Sequence, residues 1–237
     1  MRRLLTKGTL GLTLAAMTAL AACGDPEPDQ RKAFIGFLQT RIIDKPGIHV
    51  PILTADERKA FGPYAEHYAV IANFHKVMND SVSPKFSSAV SKASIHSAAD
   101  LAARRDDFKI AKTTIGEMNT ALGDDLVQAD AAHGKLSQPA DLKPVYDKAY
   151  DRLVTSVAAT FREVSPIADK VFADALDLGD YIDQHKSSLK ISDATVQAAD
   201  AATQKAFNAK LQALQSSQQA VNAAQTKFRE LVYGAGK

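Results

Sequence analysis

Residues 97–136 read SAADLAARRDDFKIAKTTIGEMNTALGDDLVQADAAHGKL, and an apolar side chain recurs there at every seventh position. The members of this series are Leu101, Phe108, Ile115, Leu122, Ala129 and Leu136, with Ala111, Met118 and Ala132 in the second seam position. A sustained seven-residue repeat is typical of helices that lie side by side in a left-handed bundle. The stretch therefore predicts one long helix over residues 97–136.

The end of the chain repeats this pattern. Asp200 is placed to cap a helix that runs to about Tyr233. Its seam consists of Phe207, Leu211, Leu214, Gln218, Val221, Gln225, Phe228 and Val232. The small residues beside that seam, which let a neighbouring helix approach closely, are Ala206, Ala213, Ala220 and Ala224. The two long helices are predicted to form the spine of an all-α, multi-helix bundle of antiparallel helices.

Shorter helices are predicted between these two and before them. Their spans are 30–43, 63–82, 83–94, 141–164 and 165–186. The signals that separate them are Lys45-Pro46-Gly47, Gly62-Pro63, Ser83-Pro84 and Ser165-Pro166, because proline is tolerated in the first turn of a helix and not in its interior. Thr54 and Glu57 have the spacing of a capping box. Alternation over residues 189–197 predicts either a very short β-hairpin or an extended link.

Two glycines interrupt the long helix. Gly116 and Gly123 each cost ~1 kcal/mol relative to alanine in a helix interior. We interpret them as points where a neighbouring helix makes close contact.

Residues 1–22 have the organisation of an export signal. Arg2, Arg3 and Lys7 precede an apolar stretch over residues 10–22. A helix must contain ~20 apolar residues to span a ~30 Å hydrocarbon core, so this stretch is too short to cross a membrane.

The signal ends in Leu20-Ala21-Ala22-Cys23, which resembles the lipobox of bacterial lipoproteins, and Cys23 is the one cysteine of the chain. The resemblance implies that the signal is removed before Cys23, that its sulfur is diacylated, and that the new amine receives a further acyl chain such as palmitate. Two or more acyl chains give stable anchoring. By the sorting pattern of the enterobacterial lipoproteins that this stretch resembles, Gly24 after the cysteine implies an address at the outer membrane, facing the periplasm. The alternative is an ordinary export signal followed by a chance cysteine.

Three segments are predicted: the signal over residues 1–22, a lipidated N-terminus and tether over 23–29, and a single helical bundle over 30–233. The whole chain has 29 basic and 27 acidic residues, and removal of the three basic residues of the signal leaves 26 basic residues. With no net positive field, no nucleic acid partner is expected. A single cysteine also excludes a disulfide framework.

No residue set predicts a metal site or another cofactor. Asp130 and His133 share a helix face, but a metal site in a bundle needs two such motifs and further carboxylates. His67 and His75 fall on different faces of their helix.

Catalytic motifs are also missing from the sequence. Asp180, Asp183 and His185 near a helix end are interpreted as solvated charge. There is no Gly-x-Ser-x-Gly elbow and no glycine-rich phosphate loop. We therefore expect no catalytic residue and no enzymatic activity.

Tyr64, Tyr68 and His75 occupy one predicted helix after Gly62-Pro63. Core packing with Phe61 is the ordinary explanation for the two tyrosines. The alternative is an interaction patch, in which exposed edges of Tyr64 and Tyr68 meet a ligand or partner.

The chain resembles the YiaF-like envelope lipoproteins of enterobacteria, a family defined as a domain of unknown function. The resemblance is carried by Asp29-Gln30-Arg31-Lys32-Ala33-Phe34, Leu53-Thr54-Ala55-Asp56, Phe61-Gly62-Pro63, Gln128-Ala129-Asp130-Ala131-Ala132-His133, Asp141-Leu142-Lys143-Pro144-Val145 and Gly179-Asp180-Tyr181-Ile182. It extends over most of the mature chain and is weaker after Ile182. It implies the envelope address and the helical fold, and no activity, cofactor or partner.

Three functions remain open at this level. The first is a membrane-anchored interaction or structural module whose partners are the membrane, through acyl chains on Cys23, and envelope proteins. The second is a binding protein for a lipid or another small apolar ligand, in a gap near Tyr64, Tyr68 and His75. The third, an enzyme, would need converging polar groups that the sequence does not indicate.

Overall fold

The computed structural model describes residues 25–92, 97–192 and 195–234, and most of them are helical. The elements in chain order are α1 (Glu27–Leu38), α2 (Ala55–Phe61), α3 (Tyr64–Val77), α4 (Ser83–Lys92), α5 (Ala98–Ala103), α6 (Arg105–His133), α7 (Lys143–Tyr150), α8 (Ser156–Gln184), β1 (Leu189–Ser192), β2 (Thr195–Ala198) and α9 (Ala201–Tyr233). Single π-helical turns occupy Gln39–Ile43 after α1, Met78–Val82 before α4 and Asp151–Thr155 before α8. The predicted all-α class is confirmed. The export signal, Cys23 and Gly24 lie outside the described residues.

Two capped helix starts were predicted correctly from local signals in the sequence. Thr54 Oγ1 accepts the amide of Glu57 at 3.1 Å, and Glu57 Oε2 accepts the amide of Thr54 at 2.8 Å, so the capping box is confirmed. Asp200 Oδ1 accepts the amide of Thr203 at 2.8 Å and caps α9 as predicted. The hairpin is confirmed as well, with Leu189 opposite Ala198 and Ser192 opposite Thr195 in an antiparallel pair.

The first helix begins earlier than predicted. Residues 27–29 were assigned to the tether, and the structure places them in the first turn of α1. Pro28 is compatible with this position because the first amides of a helix have no intrahelical partner. Asp25 Oδ1 accepts the free amide of Glu27 at 3.0 Å.

The predicted break at Ser165-Pro166 is wrong, because α8 continues through Pro166 to Gln184. Proline in a helix interior costs ~3 kcal/mol or more. Pro166 has no amide to donate to the carbonyl of Arg162, four residues earlier. Both residues are exposed, so water can satisfy that carbonyl. Phe161 and Phe172 on either side are buried, and each buried side chain of this size contributes about 1.5–3 kcal/mol. Burial along the helix outweighs the local cost.

The predicted separation at Ser83-Pro84 is also wrong. The amide of Ser83 bonds to the carbonyl of Met78, five residues earlier, which makes the turn before α4 π-helical. Pro84 has no amide to donate, and in a regular helix its ring would clash with the carbonyl of Asp80. The wider turn absorbs this conflict and keeps residues 64–92 helical.

The long helix predicted over residues 97–136 is divided at Arg104, which separates α5 from α6. The break lies close to a tertiary contact at Gly179 of α8. A Cβ added to Gly179 would lie 2.5 Å from the carbonyl oxygen of Leu101 in α5. Arg105, the first residue of α6, forms ion pairs with Asp180 and Asp183 beside this crossing.

The interpretation of Gly116 and Gly123 as contact points is wrong. A Cβ added at either position meets no atom within 4 Å. Among the glycines that the structure describes, Gly179 of α8 is the one at which two helices approach closely.

α8 is the central helix of the bundle. It packs along α6 on one side and along α9 on the other, with α5 across its C-terminal end. The bundle therefore has three long helices where two were predicted. The third is α8, which continues through Pro166 and has 29 residues. Buried side chains from α1 to α9 and from β1 form one core cluster. Among the described helices, none is both long enough and apolar enough to cross a membrane.

Candidate functional site: an apolar groove between α8 and α9

The predicted patch at Tyr64 and Tyr68 lies in the core. Tyr64 is 5% exposed and Tyr68 is 2% exposed, so core packing is confirmed and the alternative of exposed tyrosine edges is wrong. Tyr64 Oη donates to Glu27, and Tyr68 Oη donates to the carbonyl oxygen of Pro51 at 2.8 Å. Burial raises the pKa of Tyr64 to about 12. Neither ring is available to a ligand.

His75 is a satisfied histidine beside the core. Its Nε2 lies 2.7 Å from the carbonyl oxygen of Leu153 and donates to it, and its ring meets Phe74 edge-on at 5.5 Å. Burial lowers the pKa of His75 and so favours the neutral ring, which can still donate this hydrogen bond. The gap near Tyr64, Tyr68 and His75 that was expected for a ligand is filled by this packing.

Asp130 and His133 join a polar and aromatic cluster with α7. Tyr150 Oη donates to Asp130 Oδ1 at 2.7 Å, and His133 Nε2 lies 2.9 Å from Asp147 Oδ1. The rings of His133 and Tyr150 lie 4.1 Å apart. These pairings join α6 to α7. Within the described ranges, no group of three or more His, Cys, Asp or Glu side chains could hold a metal ion.

The acidic residues near the end of α8 are ion-paired. Asp180 and Asp183 contact Arg105, and the ring of His185 stacks on Tyr181 at 4.0 Å. Their interpretation as solvated charge is therefore incomplete, because Asp180 and Asp183 join α8 to α6.

Asp125 is a buried carboxylate that the sequence did not single out. Its side chain is 8% exposed and its Oδ2 has no hydrogen-bond partner among the described residues. Burial raises the pKa of Asp125 from 3.8 to about 6. The folded protein thus keeps this proton over a pH range in which the unfolded chain releases it.

This proton makes a testable contribution to stability. Because the pKa is raised on folding, ionisation of Asp125 lowers the free energy of unfolding as the pH rises from about 4 to about 6. Above about pH 6 the loss is complete and stays constant. Asp125→Asn should therefore increase the free energy of unfolding by about 1–2 kcal/mol at pH 8 and leave it nearly unchanged at pH 4. Urea unfolding of both proteins at the two pH values measures the difference. An equal gain at both pH values would contradict this assignment, and Asp124→Asn, at an exposed position, is the control.

An apolar groove lies between α8 and α9, and we call it the α8–α9 groove. Its volume is about 670 Å³ and it is open to solvent along one side. Its lining comprises Phe86 of α4, Val164, Ile167, Ala168, Val171 and Phe172 of α8, and Gln218, Val221, Ala224, Gln225, Phe228, Arg229, Val232 and Tyr233 of α9. The groove is deep at Ala168 and Ala224 because their side chains are small.

Polar contacts hold α8 and α9 together near both ends of this groove. Lys210 Nζ lies 2.6 Å from Asp177 Oδ2, and Ser217 Oγ donates to Asp174. Toward the other end, Lys227 pairs with Glu163.

An aromatic cluster joins three helices at the groove. The rings of Phe161 and Phe228 meet edge-on at 5.1 Å, and Phe86 stacks on Phe228 at 6.2 Å. Phe86 and Phe228 line the groove, so this cluster is both part of the packing and part of the apolar wall.

The C-terminal end of α9 is held by the loop after α1. The amide of Ile48 donates to the carbonyl oxygen of Val232 at 3.1 Å. Gly47 has a φ of +69° and its backbone lies directly against Val232, where a side chain would not fit. Arg152 Nη2 donates to the carbonyl oxygen of Gly47 at 3.0 Å and so ties this loop to the turn before α8. The groove is therefore supported at the Val232 end.

Two glutamines in the last helix are a signal for the groove in the sequence. Gln218 and Gln225 fall in the predicted seam of the last helix, where a buried seam requires apolar side chains. In the structure both are exposed and line the groove, while Ser217 and Ala224 beside them are buried. Glutamine at two seam positions one heptad apart indicates a seam that no neighbouring helix covers.

Comparison with known proteins gives a family without a known activity. Residues 11–229 match the model of the family described as "Protein of unknown function (DUF3053)". The chain is also 34% identical over 172 residues to "Uncharacterized protein YiaF" from Escherichia coli strain K12, and equally so to the proteins of that name from Escherichia coli O157:H7 and Shigella flexneri; the match covers 72% of this chain and 72% of each relative. No solved structure matches. The chain therefore belongs to the DUF3053 family of proteins of unknown function.

Proposed function

We propose that this protein is a lipid-anchored protein of the bacterial envelope whose helical body is a binding module rather than an enzyme. The anchor is Cys23 with its acyl chains, and the outer membrane is the address that the residues around Cys23 favour. The binding surface is the α8–α9 groove.

The start of α1 supports a body held close to the membrane. Residues 24–26 separate Cys23 from Glu27, the first residue of α1. A chain of this length reaches ~14 Å from Cys23 when fully extended. The bundle is then confined to the membrane surface, where apolar ligands and envelope proteins are its neighbours.

The α8–α9 groove is the observation that carries the binding function. Its volume of about 670 Å³ lies within the ~300–1,000 Å³ of typical small-molecule sites. Its walls are apolar, with a few polar side chains at the edge. These properties favour a small apolar ligand as the occupant.

A segment of an envelope protein is the second candidate, because the groove is open along one side and Tyr233 at its end is 60% exposed. Its lining of 14 residues is smaller than the ~20–30 residues that each side of a standard protein interface contributes. The small ligand is therefore favoured over the protein partner.

Filling the groove provides the test. We expect organic extracts of the purified acyl-free protein to contain an apolar compound, and we expect Ala168→Phe to remove it because the new ring occupies the groove. Ala131→Phe, at an exposed position of α6, is the control and should retain the compound. Mass spectrometry of the extracts is the measurement. Equal amounts of the compound in both variants, or none in the wild type together with a crosslinked protein partner at α9, would refute the small-ligand proposal.

A further inference from the structure

We infer that the α8–α9 groove binds a long-chain fatty acid, with its carboxylate on Arg229 and its acyl chain along the apolar floor. This inference rests on the proposed ligand-binding function of the groove and adds the chemical class of the ligand. Three observations carry it: the length of the groove, the charge at its edge, and the pairing of the other nearby cations.

The groove has the length of one acyl chain. Its wall on α9 extends from Gln218 to Tyr233, which at 1.5 Å per residue is about 22 Å. One leaflet of a bilayer is about half of the ~30 Å hydrocarbon core, so a single lipid chain spans about 15 Å. The groove therefore accommodates one such chain lengthwise and leaves space for a small head group.

The charge at the groove selects an anion. Arg229 is the charged residue of the lining, and the lining contains no acidic side chain. Its Nη2 lies 3.4 Å from Thr226 Oγ1, and no carboxylate within the described ranges forms an ion pair with it. A guanidinium presents paired donors whose geometry matches the two oxygens of a carboxylate.

Unlike Arg229, the lysines that join α8 and α9 form ion pairs with carboxylates. Lys227 is paired with Glu163, and Lys210 is paired with Asp177. Lys170 on the outer face of α8 is paired with Asp174. Their positive charges are already compensated, so Arg229 is the cation that an anion in the groove would meet.

The apolar floor predicts a preference for long chains. Each buried methylene strengthens binding about fourfold. Palmitate should therefore bind more tightly than a fatty acid four methylenes shorter by on the order of 100-fold. A short anion such as acetate should not compete.

Photoaffinity labelling of the full processed protein tests the inference in the membrane. The protein is placed in vesicles of phosphatidylethanolamine and phosphatidylglycerol and labelled with diazirine palmitate or, separately, with diazirine hexadecanol. Peptide mass spectrometry locates the label. We expect the palmitate probe to label peptides from residues 164–172 and 218–233, and Ala168→Phe to abolish this labelling.

Variants at Arg229 and Arg162, two of the exposed arginines, separate the effect of charge from the effect of the groove. Arg229→Gln should reduce labelling of these peptides by the palmitate probe about fivefold and leave labelling by the hexadecanol probe unchanged. Arg162→Gln removes an exposed arginine of α8 that is outside the lining, and it should label like the wild type. Melting curves and helical circular dichroism establish that each variant is folded. Gln225→Trp fills the groove from α9 if Ala168→Phe does not fold.

The two levels of the proposal fail in different ways. Equal labelling of the groove by the acid and the alcohol, with no effect of Arg229→Gln, would overturn the fatty acid and leave an uncharged apolar ligand. Absence of label from both groove peptides with both probes, or labelling that persists in both filled variants, would overturn ligand binding in the groove itself.

Discussion

Gly179→Ala is expected to lower the free energy of unfolding by about 2–3 kcal/mol, because overpacking a close contact costs ~1–3 kcal/mol or more. The added Cβ would lie 2.5 Å from the carbonyl oxygen of Leu101, and that atom belongs to the backbone of α5. A flexible side chain could move aside, whereas here α5 and α8 must separate. Their separation would also lengthen the ion pairs of Arg105 with Asp180 and Asp183.

Gly116→Ala is the matched control for this variant. Gly116 is exposed on α6 and an added Cβ meets no atom within 4 Å. Alanine is favoured over glycine in a helix by ~1 kcal/mol, so this variant should be more stable than the wild type. The same substitution in two helices is thus expected to have opposite signs.

Thermal unfolding followed by circular dichroism measures both effects. In a protein of this size, 1 kcal/mol corresponds to a change in Tm of ~2–4 °C. Gly179→Ala should melt about 5–10 °C below the wild type, and Gly116→Ala about 2–4 °C above it. A gain in Tm for Gly179→Ala would contradict the close packing of Gly179 in α8 against Leu101 in α5.

Cys23→Ser should abolish acylation of the chain and block removal of its export signal. Serine has no thiol, so it cannot carry the thioether-linked acyl chains that the lipobox resemblance implies. Without that modification the lipoprotein peptidase should leave the export signal in place, and the chain should remain a precursor longer by residues 1–22. Metabolic labelling with a palmitate analogue, followed by gel electrophoresis, measures both outcomes in one experiment.

Met17→Leu is the control for this prediction, because it changes the export signal and keeps its apolar character. It should be labelled and processed like the wild type. If Cys23→Ser were still processed and labelled, the proposed anchor at Cys23 would be refuted.

Which features could be predicted from the sequence depends on how local their causes are. The caps at Thr54 and Asp200 were predicted correctly because the side chain and the amide that it binds are three residues apart. Alternation over a similarly short span gave the hairpin β1–β2 as one of two alternatives, and the structure has the hairpin. In each case the interacting groups are close along the chain, so the sequence alone contains the geometry.

The site was predicted less well, because it depends on contacts between distant residues. Tyr64 and Tyr68 follow a break between helices, which suggested exposure, but packing against α1 and the loop before α2 buries them. The α8–α9 groove was not predicted, although Gln218 and Gln225 marked it in the seam of α9.

By itself, the sequence determined the all-α class, the order of most helices and their capped starts, because apolar periodicity and capping act over one or two turns. Only the tertiary structure decided that α8 continues through Pro166, that the helix after residue 97 is interrupted at Arg104, and that Gly179 rather than Gly116 is the point of close contact. The reason is energetic. A local penalty of about 1–3 kcal/mol for glycine or proline is offset by burying side chains worth about 1.5–3 kcal/mol each, and burial depends on which helices become neighbours.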